Sequence, residues 1–207
     1  MFDRRVTCVL LCVLATACGG DSTSPTGGGG GGRNENDLHF LHAASDAPQL
    51  AHASTSFWAV RGEDREAAIW YRRRPDRTDS TELVEFRVPD RALVQRPDGT
   101  PIAPGDSLLI TITVVDPAHL IVQFEPAGLQ FAADRPARLK LDYHEASEDI
   151  NDDGHVDDND TALKSQLSIF RQEQPGDPWF KQSSISLEGS DEVEADIAGF
   201  TRYAIGF

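Results

Sequence analysis

Beyond residue 18 the chain has no cysteine. All three, Cys8, Cys12 and Cys18, lie within the first eighteen residues. The folded part therefore has no disulfide and no thiol nucleophile. Basic side chains are scarce as well, with 19 Lys and Arg against 34 Asp and Glu and a formal net charge of −15. That balance argues against nucleic acid and anionic lipid as partners, and it suits solubility and cation binding. No apolar run reaches the roughly 20 residues that a membrane-spanning helix needs. Catalytic signatures are missing too. None of the six histidines, His39, His42, His52, His119, His144 and His155, falls in HExxH spacing. His39 and His42 are three apart but lack a third ligand in the sequence nearby, and read as surface residues. GDSLL around Ser107 is not the G-x-S-x-G elbow, and its serine reads as a turn residue that opens a strand. Two distant carboxylates could meet as a glycosidase pair, but nothing singles one out. No catalytic residue is assigned.

What is present begins with an address. Arg4 and Arg5 precede an apolar run from Val6 to Leu14, followed by Ala15-Thr16-Ala17-Cys18. The run fits the core of a secretory signal. Its end resembles a bacterial lipobox, in which the cysteine is acylated and becomes the new N-terminus. Ala15 stands where leucine is commoner in that pattern. On this reading residues 1–17 are a lipoprotein signal peptide, Cys8 and Cys12 leave with it, and Cys18 carries the lipid. The alternative is an ordinary secretory signal cut elsewhere. Removal of residues 1–17 takes away Arg4, Arg5 and Asp3 and leaves the chain one unit more negative. Several acyl chains would make the membrane anchor effectively permanent. Gly19 after the cysteine, where aspartate could stand, resembles an outer-membrane sorting signal. The expected location is thus the cell envelope, lipid-anchored at the outer membrane, facing the periplasm or the surface. Residues 18–36, which include GGDSTSPTGGGGGG, cannot bury apolar surface and read as a flexible tether with an rms reach of roughly 20–25 Å.

Residues 37–207 read as one domain. From Ser56 onward short segments alternate with period two. Trp58 and Val60 share one face of SFWAVR, and Phe57 and Ala59 share the other. AAIWYR follows RGEDRE, whose Gly62 and charges read as a hairpin turn. In LVEFRV, Val84, Phe86 and Val88 point one way. In SLLITITVV, Leu108, Ile110, Ile112 and Val114 oppose Thr111 and Thr113. LIVQF, RLKLDY, SISL, EVEADI and RYAIGF continue the pattern, each bounded by Pro, Gly or Asp. About nine such strands predict an all-β fold, an antiparallel β-sandwich. One short helix is expected over Asp160 to Gln166, with Leu163 and Leu167 on its inner face. Arg33 to Thr55 shows no period and reads as irregular chain or short helix.

The stretch 149–160 reads DINDDGHVDDND, six aspartates in twelve residues. Such charge density calls for a cation. The EF-hand template places oxygen ligands at loop positions 1, 3, 5, 7, 9 and 12 with glycine at 6. Those positions are Asp149, Asn151, Asp153, His155, Asp157 and Asp160, and the glycine is Gly154. His155 would supply only its backbone carbonyl, and Asp157 would act through water. Val156, at position 8, is expected to pack inward. Asp160 replaces the glutamate of sensor loops. The pattern, followed by Thr161-Ala162-Leu163, resembles the calcium loop of dockerin modules. Dockerins carry two such loops and this chain has one, so the resemblance implies ion-binding geometry and not a cohesin partner. The predicted cofactor is one structural Ca2+. Mg2+ prefers a tighter octahedron that keeps several waters. The bland alternative is a solvated acidic turn.

VPDRALVQRPDGTPIAPGDSLLITITV, then FEPAGLQFAADRPARLKLDY, together with the tail ADIAGFTRYAIGF, resemble the ZU5-type β-domain. That resemblance implies a β-sandwich used as a protein-interaction module. Some relatives cut themselves at His-Phe-Ser. Here Gly199, Phe200 and Thr201 stand in that place, so no self-cleavage is expected. The functional expectation is a non-enzymatic, monomeric binding or structural module with a membrane anchor at Cys18 and an envelope protein or glycan as partner. The alternative is an extracellular carbohydrate-binding protein or polysaccharide-acting enzyme. It would use Trp58, Trp70, Tyr71 or Trp179 as a stacking platform.

Overall fold

The computed structural model describes residues 31–78 and 80–207. The expected signal peptide, Cys18 and most of the expected tether lie outside the described residues. The fold is an antiparallel β-sandwich, as the alternation predicts. Thirteen strands run in chain order as β1 Ser54–Val60, β2 Arg65–Trp70, β3 Glu82–Val88, β4 Leu93–Gln95, β5 Ser107–Asp116, β6 Ile121–Glu125, β7 Gln130–Phe131, β8 Ala137–Asp142, β9 Ser168–Gln172, β10 Trp179–Lys181, β11 Ser184–Leu187, β12 Glu192–Ile197 and β13 Arg202–Gly206. One sheet has the order β1-β5-β6-β13-β9-β10, the other β11-β12-β8-β3-β2, and β4 pairs with β7.

The two large sheets bury the faces that alternation assigns inward. Val84, Phe86 and Val88 of β3 meet Ile110, Ile112 and Val114 of β5 in one core. A phenylalanine cluster fills its middle: Phe86 lies 4.9 Å from Phe124, and Phe200 lies 5.2 Å from Phe124 and 5.1 Å from Phe131. Offset and edge-on rings at these spacings add to the burial of each ring. At one corner the buried Tyr203 donates its hydroxyl proton to the carbonyl of Gly199 at 2.6 Å.

The turn after β1 corrects one expectation. Residues 61–64 do not close a hairpin, because β1 pairs with β5 and β2 pairs with β3. The turn carries the chain from one sheet to the other. Gly62 serves that crossing with φ of +115°.

The N-terminal segment forms a second, smaller core. Leu38 and Phe40 cover the outer face of the six-stranded sheet, where Ile121, Phe170, Ala204 and the fully buried Trp179 await them. Arg33 exchanges both backbone hydrogen bonds with Trp179, and Leu41 N donates to Ile205 O. Gly206 permits this approach: a Cβ there would stand 2.5 Å from the carbonyl oxygen of His39. Between Asp37 and β1 the chain has only isolated bridges, and a single 3-10 turn spans Glu35–Asp37.

Helix α1 spans Asp158–Lys164 and starts two residues earlier than the apolar spacing suggests. Asp157 caps it, and Asp160 closes a reciprocal capping box. Leu163 and Leu167 pack on the main core as expected. No helix among the described residues is long and apolar enough to cross a membrane.

Candidate functional site

The acidic loop 149–160 leaves the sandwich after Ile150, which is buried, and returns through α1. Two left-handed residues turn it, Asp152 at φ +56° and Gly154 at φ +86°. Only glycine takes the latter without strain. Asp149 spans the mouth: its Oδ1 accepts from Asp153 N at 3.1 Å and its Oδ2 from Gly154 N at 2.8 Å. Asn151 Oδ1 also accepts from Asp153 N, at 3.0 Å, and Asp153 Oδ1 accepts from His155 N at 2.9 Å. Each carboxylate thus ends a short backbone turn and keeps lone pairs to spare.

Asp160 differs from the rest. It is 2% exposed, and three amides donate to it. Ile150 N and Asn151 N reach Oδ1 at 2.8 and 3.3 Å, and Asp157 N reaches Oδ2 at 2.9 Å. These bonds, that from Asp157 foremost, hold its carboxyl below the usual range. Only one lone pair remains, on Oδ2, so Asp160 cannot grip an ion with both oxygens as it stands.

The donor set fits a hard cation: several carboxylates, one amide and the carbonyl of His155 on a doubly turned loop. The carboxylates point mainly at the loop's own amides. Among the described residues no group of three or more His, Cys, Asp or Glu side chains is placed to hold a metal ion. One expectation about the loop is overturned. Val156 is 62% exposed and does not join the apolar core. Ile150 is the apolar anchor of the loop instead.

Two histidines read from the sequence as idle surface residues reach this loop. His39 Nε2 and His42 Nε2 each stand 3.3 Å from Asp152 Oδ2. Their third neighbour lies about 110 residues downstream, so no local spacing reveals it. Beside them His119 Nδ1 binds Asp116 Oδ2 at 2.7 Å, and the His119 and His42 rings are 4.7 Å apart.

A polar cleft of about 470 Å³ opens on the other side of the loop, lined by Arg74, Arg77, His144, Glu145 and Lys164 among others. Arg74 donates to the buried Glu145 at 2.5 Å and to Asp46 at 3.3 Å. Burial alone would raise the Glu145 carboxyl, but the bonds from Arg74 and Thr81 outweigh it and hold it low.

The aromatic residues do not assemble into a platform. Trp179 and Tyr71 are buried. Trp58 and Trp70 are exposed, at 59% and 44%. Trp58 lies outward between the inward Phe57 and Ala59 of the six-stranded sheet. Trp70 follows the inward Ile69 of the five-stranded sheet. They occupy opposite outer faces.

Comparison with family models, curated proteins and solved structures gives no match for this chain.

Proposed function

We propose that this chain is a lipid-anchored β-sandwich of the bacterial cell envelope, a binding or structural module whose loop 149–160 takes up one structural Ca2+. The observation that carries the reading is the loop itself. Its hard oxygen donors follow a ligand order, its backbone turns at Asp152 and Gly154, and Asp160 locks its end to α1. Asp149, Asn151 and Asp153 would hold the ion through side chains, His155 through its carbonyl, Asp157 through water, and Asp160 from the helix. The ion supplies countercharge to six aspartates. The chain's own amide bonds supply the shape. Extracellular loops of this kind bind at roughly 10⁻⁴–10⁻³ M, so filling follows ambient calcium.

The anchor would be acylated Cys18 at the outer membrane, with the tether leading to Arg33. The sandwich is taken as ZU5-like, with an envelope protein or glycan as partner. The carbohydrate-acting alternative needs exposed aromatics in one row, and Trp58 and Trp70 lie on opposite faces.

The test is a thermal melt of the acylated protein in detergent, in calcium and in chelator, repeated for Asp149→Ala and Asp153→Ala. Calcium raises the midpoint of the parent and of neither variant. Equal midpoints in calcium and chelator remove the ion from the proposal. Incorporation of labelled fatty acid, lost in Cys18→Ser, tests the anchor separately.

A further inference from the structure

We propose that His39, His42 and Asp152 form a second metal site, for a divalent transition ion of the zinc type, that fastens the N-terminal segment to the acidic loop. Asp152 is not one of the six residues assigned to calcium, so this site stands whether or not the loop binds that ion.

The distances favour a metal over an ion pair. A charge-assisted N–H···O bond between imidazolium and carboxylate closes to about 2.7–2.9 Å. The neighbouring pair of His119 and Asp116 does so, at 2.7 Å. The two approaches to Asp152 do not. Both stop at 3.3 Å, and both end on the same oxygen. Ligands around tetrahedral zinc, at bond lengths of about 2.0–2.1 Å, lie about 3.3–3.4 Å apart. The two separations match the length of two edges of such a tetrahedron; the edge between the two imidazole nitrogens is left for metal binding to close.

As they stand the three side chains do not form a metal-holding group, so the site requires their tips to rotate on binding. They are free to make them, with exposures of 45%, 37% and 46% for His39, His42 and Asp152. The backbones of the two histidines are held. His39 O accepts from Phe207 N at 3.1 Å, and His42 O accepts from Ser147 N at 2.7 Å. The His39 ring stacks on Phe207 at 5.0 Å. His119, fixed by Asp116, lies against the His42 ring and positions it. A rigid frame with mobile tips keeps the ordering cost of binding low.

The ligand types select the ion. Two imidazoles and one carboxylate suit zinc, copper or nickel and do not suit calcium or magnesium. Zinc fits the tetrahedral edges, and water would fill the remaining position.

The experiment uses the full chain with Cys8, Cys12 and Cys18 changed to serine, so that no thiol competes. Zinc is titrated by calorimetry in excess calcium, and Co2+ serves as the spectroscopic probe of coordination number. The parent binds one zinc per chain and gives the intense visible bands of four-coordinate cobalt. His39→Gln, His42→Gln and Asp152→Asn each weaken zinc more than about tenfold. Their melting midpoints in chelator stay at the parent value, which separates lost binding from lost fold. Asp149→Ala with Asp153→Ala leaves zinc affinity unchanged. Equal zinc binding by the parent and the His39→Gln, His42→Gln double variant overturns the proposal. So does zinc binding that disappears with Asp149 and Asp153, since the acidic loop would then be its seat. Loss of the calcium-dependent melt with zinc binding intact would defeat the calcium reading alone.

Discussion

Asp157 and Asp160 each accept the other's amide proton. The last residue of the acidic loop is therefore also the first lock of α1. Because Asp160 also takes the amides of Ile150 and Asn151, it organises the loop through hydrogen bonds alone. Asp160→Ala should lower the midpoint by about 3–8 °C in calcium and in chelator alike. Asp149→Ala should lose only the calcium response. Two melts per variant decide it. An Asp160 effect confined to calcium would show that the residue acts as a ligand alone.

Lys140 sits among three carboxylates on the outer face of the five-stranded sheet. Its Nζ is 2.7 Å from Glu85, 3.1 Å from Glu82 and 3.2 Å from Glu192. Burial alone would lower the ammonium, but the bonds it donates to Glu85, Glu82 and Glu192 hold it well above its ordinary value. Lys140→Met leaves three crowded anions without their cation. The expected loss near neutral pH is about 2–4 kcal/mol. It should shrink at about pH 4, where Glu82, which burial raises, takes up a proton. Urea unfolding at the two pH values measures it, and a loss independent of pH would contradict this account.

Asp142 is a carboxylate the fold holds at a cost. Burial pushes it up to about 6, against the pull of the His144 amide. A raised carboxyl stabilises the fold below its unfolded value of about 3.9, and that stability is lost as pH rises through the folded value. Near pH 7 the ionised group is a burden. Asp142→Asn keeps an acceptor for His144 N, now bonded at 2.7 Å. It should gain about 1–2 kcal/mol near pH 7, a figure reduced for partial exposure, and little at about pH 4.

Tyr203→Phe removes a hydroxyl buried at 0% exposure and leaves the Gly199 carbonyl without that donor. The expected loss is about 1–2 kcal/mol. The denaturant slope should not change, because the same surface is exposed on unfolding.

The strands that alternate cleanly were legible because one face is buried and the other wet. Leu139 and Leu141 of β8 are buried between half-buried or exposed Arg138, Lys140 and Asp142. Strand β9 was not legible, since Ile169 faces the main core and Phe170 faces the second one. A strand covered on both sides has no period to read. Strands β4, β7 and β10 are too short to show one. The acids of loop 149–160 could be grouped from the sequence because they lie within twelve residues of one another. The approach of His39 and His42 to Asp152 could not be read, because only the folded chain brings residues so far apart in sequence together. The hairpin reading of residues 61–64 failed for a similar reason: a turn's composition does not say which sheet the next strand will join.

The pairing of Arg33 with Trp179 fixes where a mechanical load enters the body. Tension on the chain ahead of Arg33 reaches β10 first, a three-residue edge strand held on its other side by β9 alone. The small core of Leu38, Phe40 and Trp179 lies next in line, ahead of the phenylalanine-filled sandwich. A pull from the N-terminal side would thus meet a small clasp before it loads the main core.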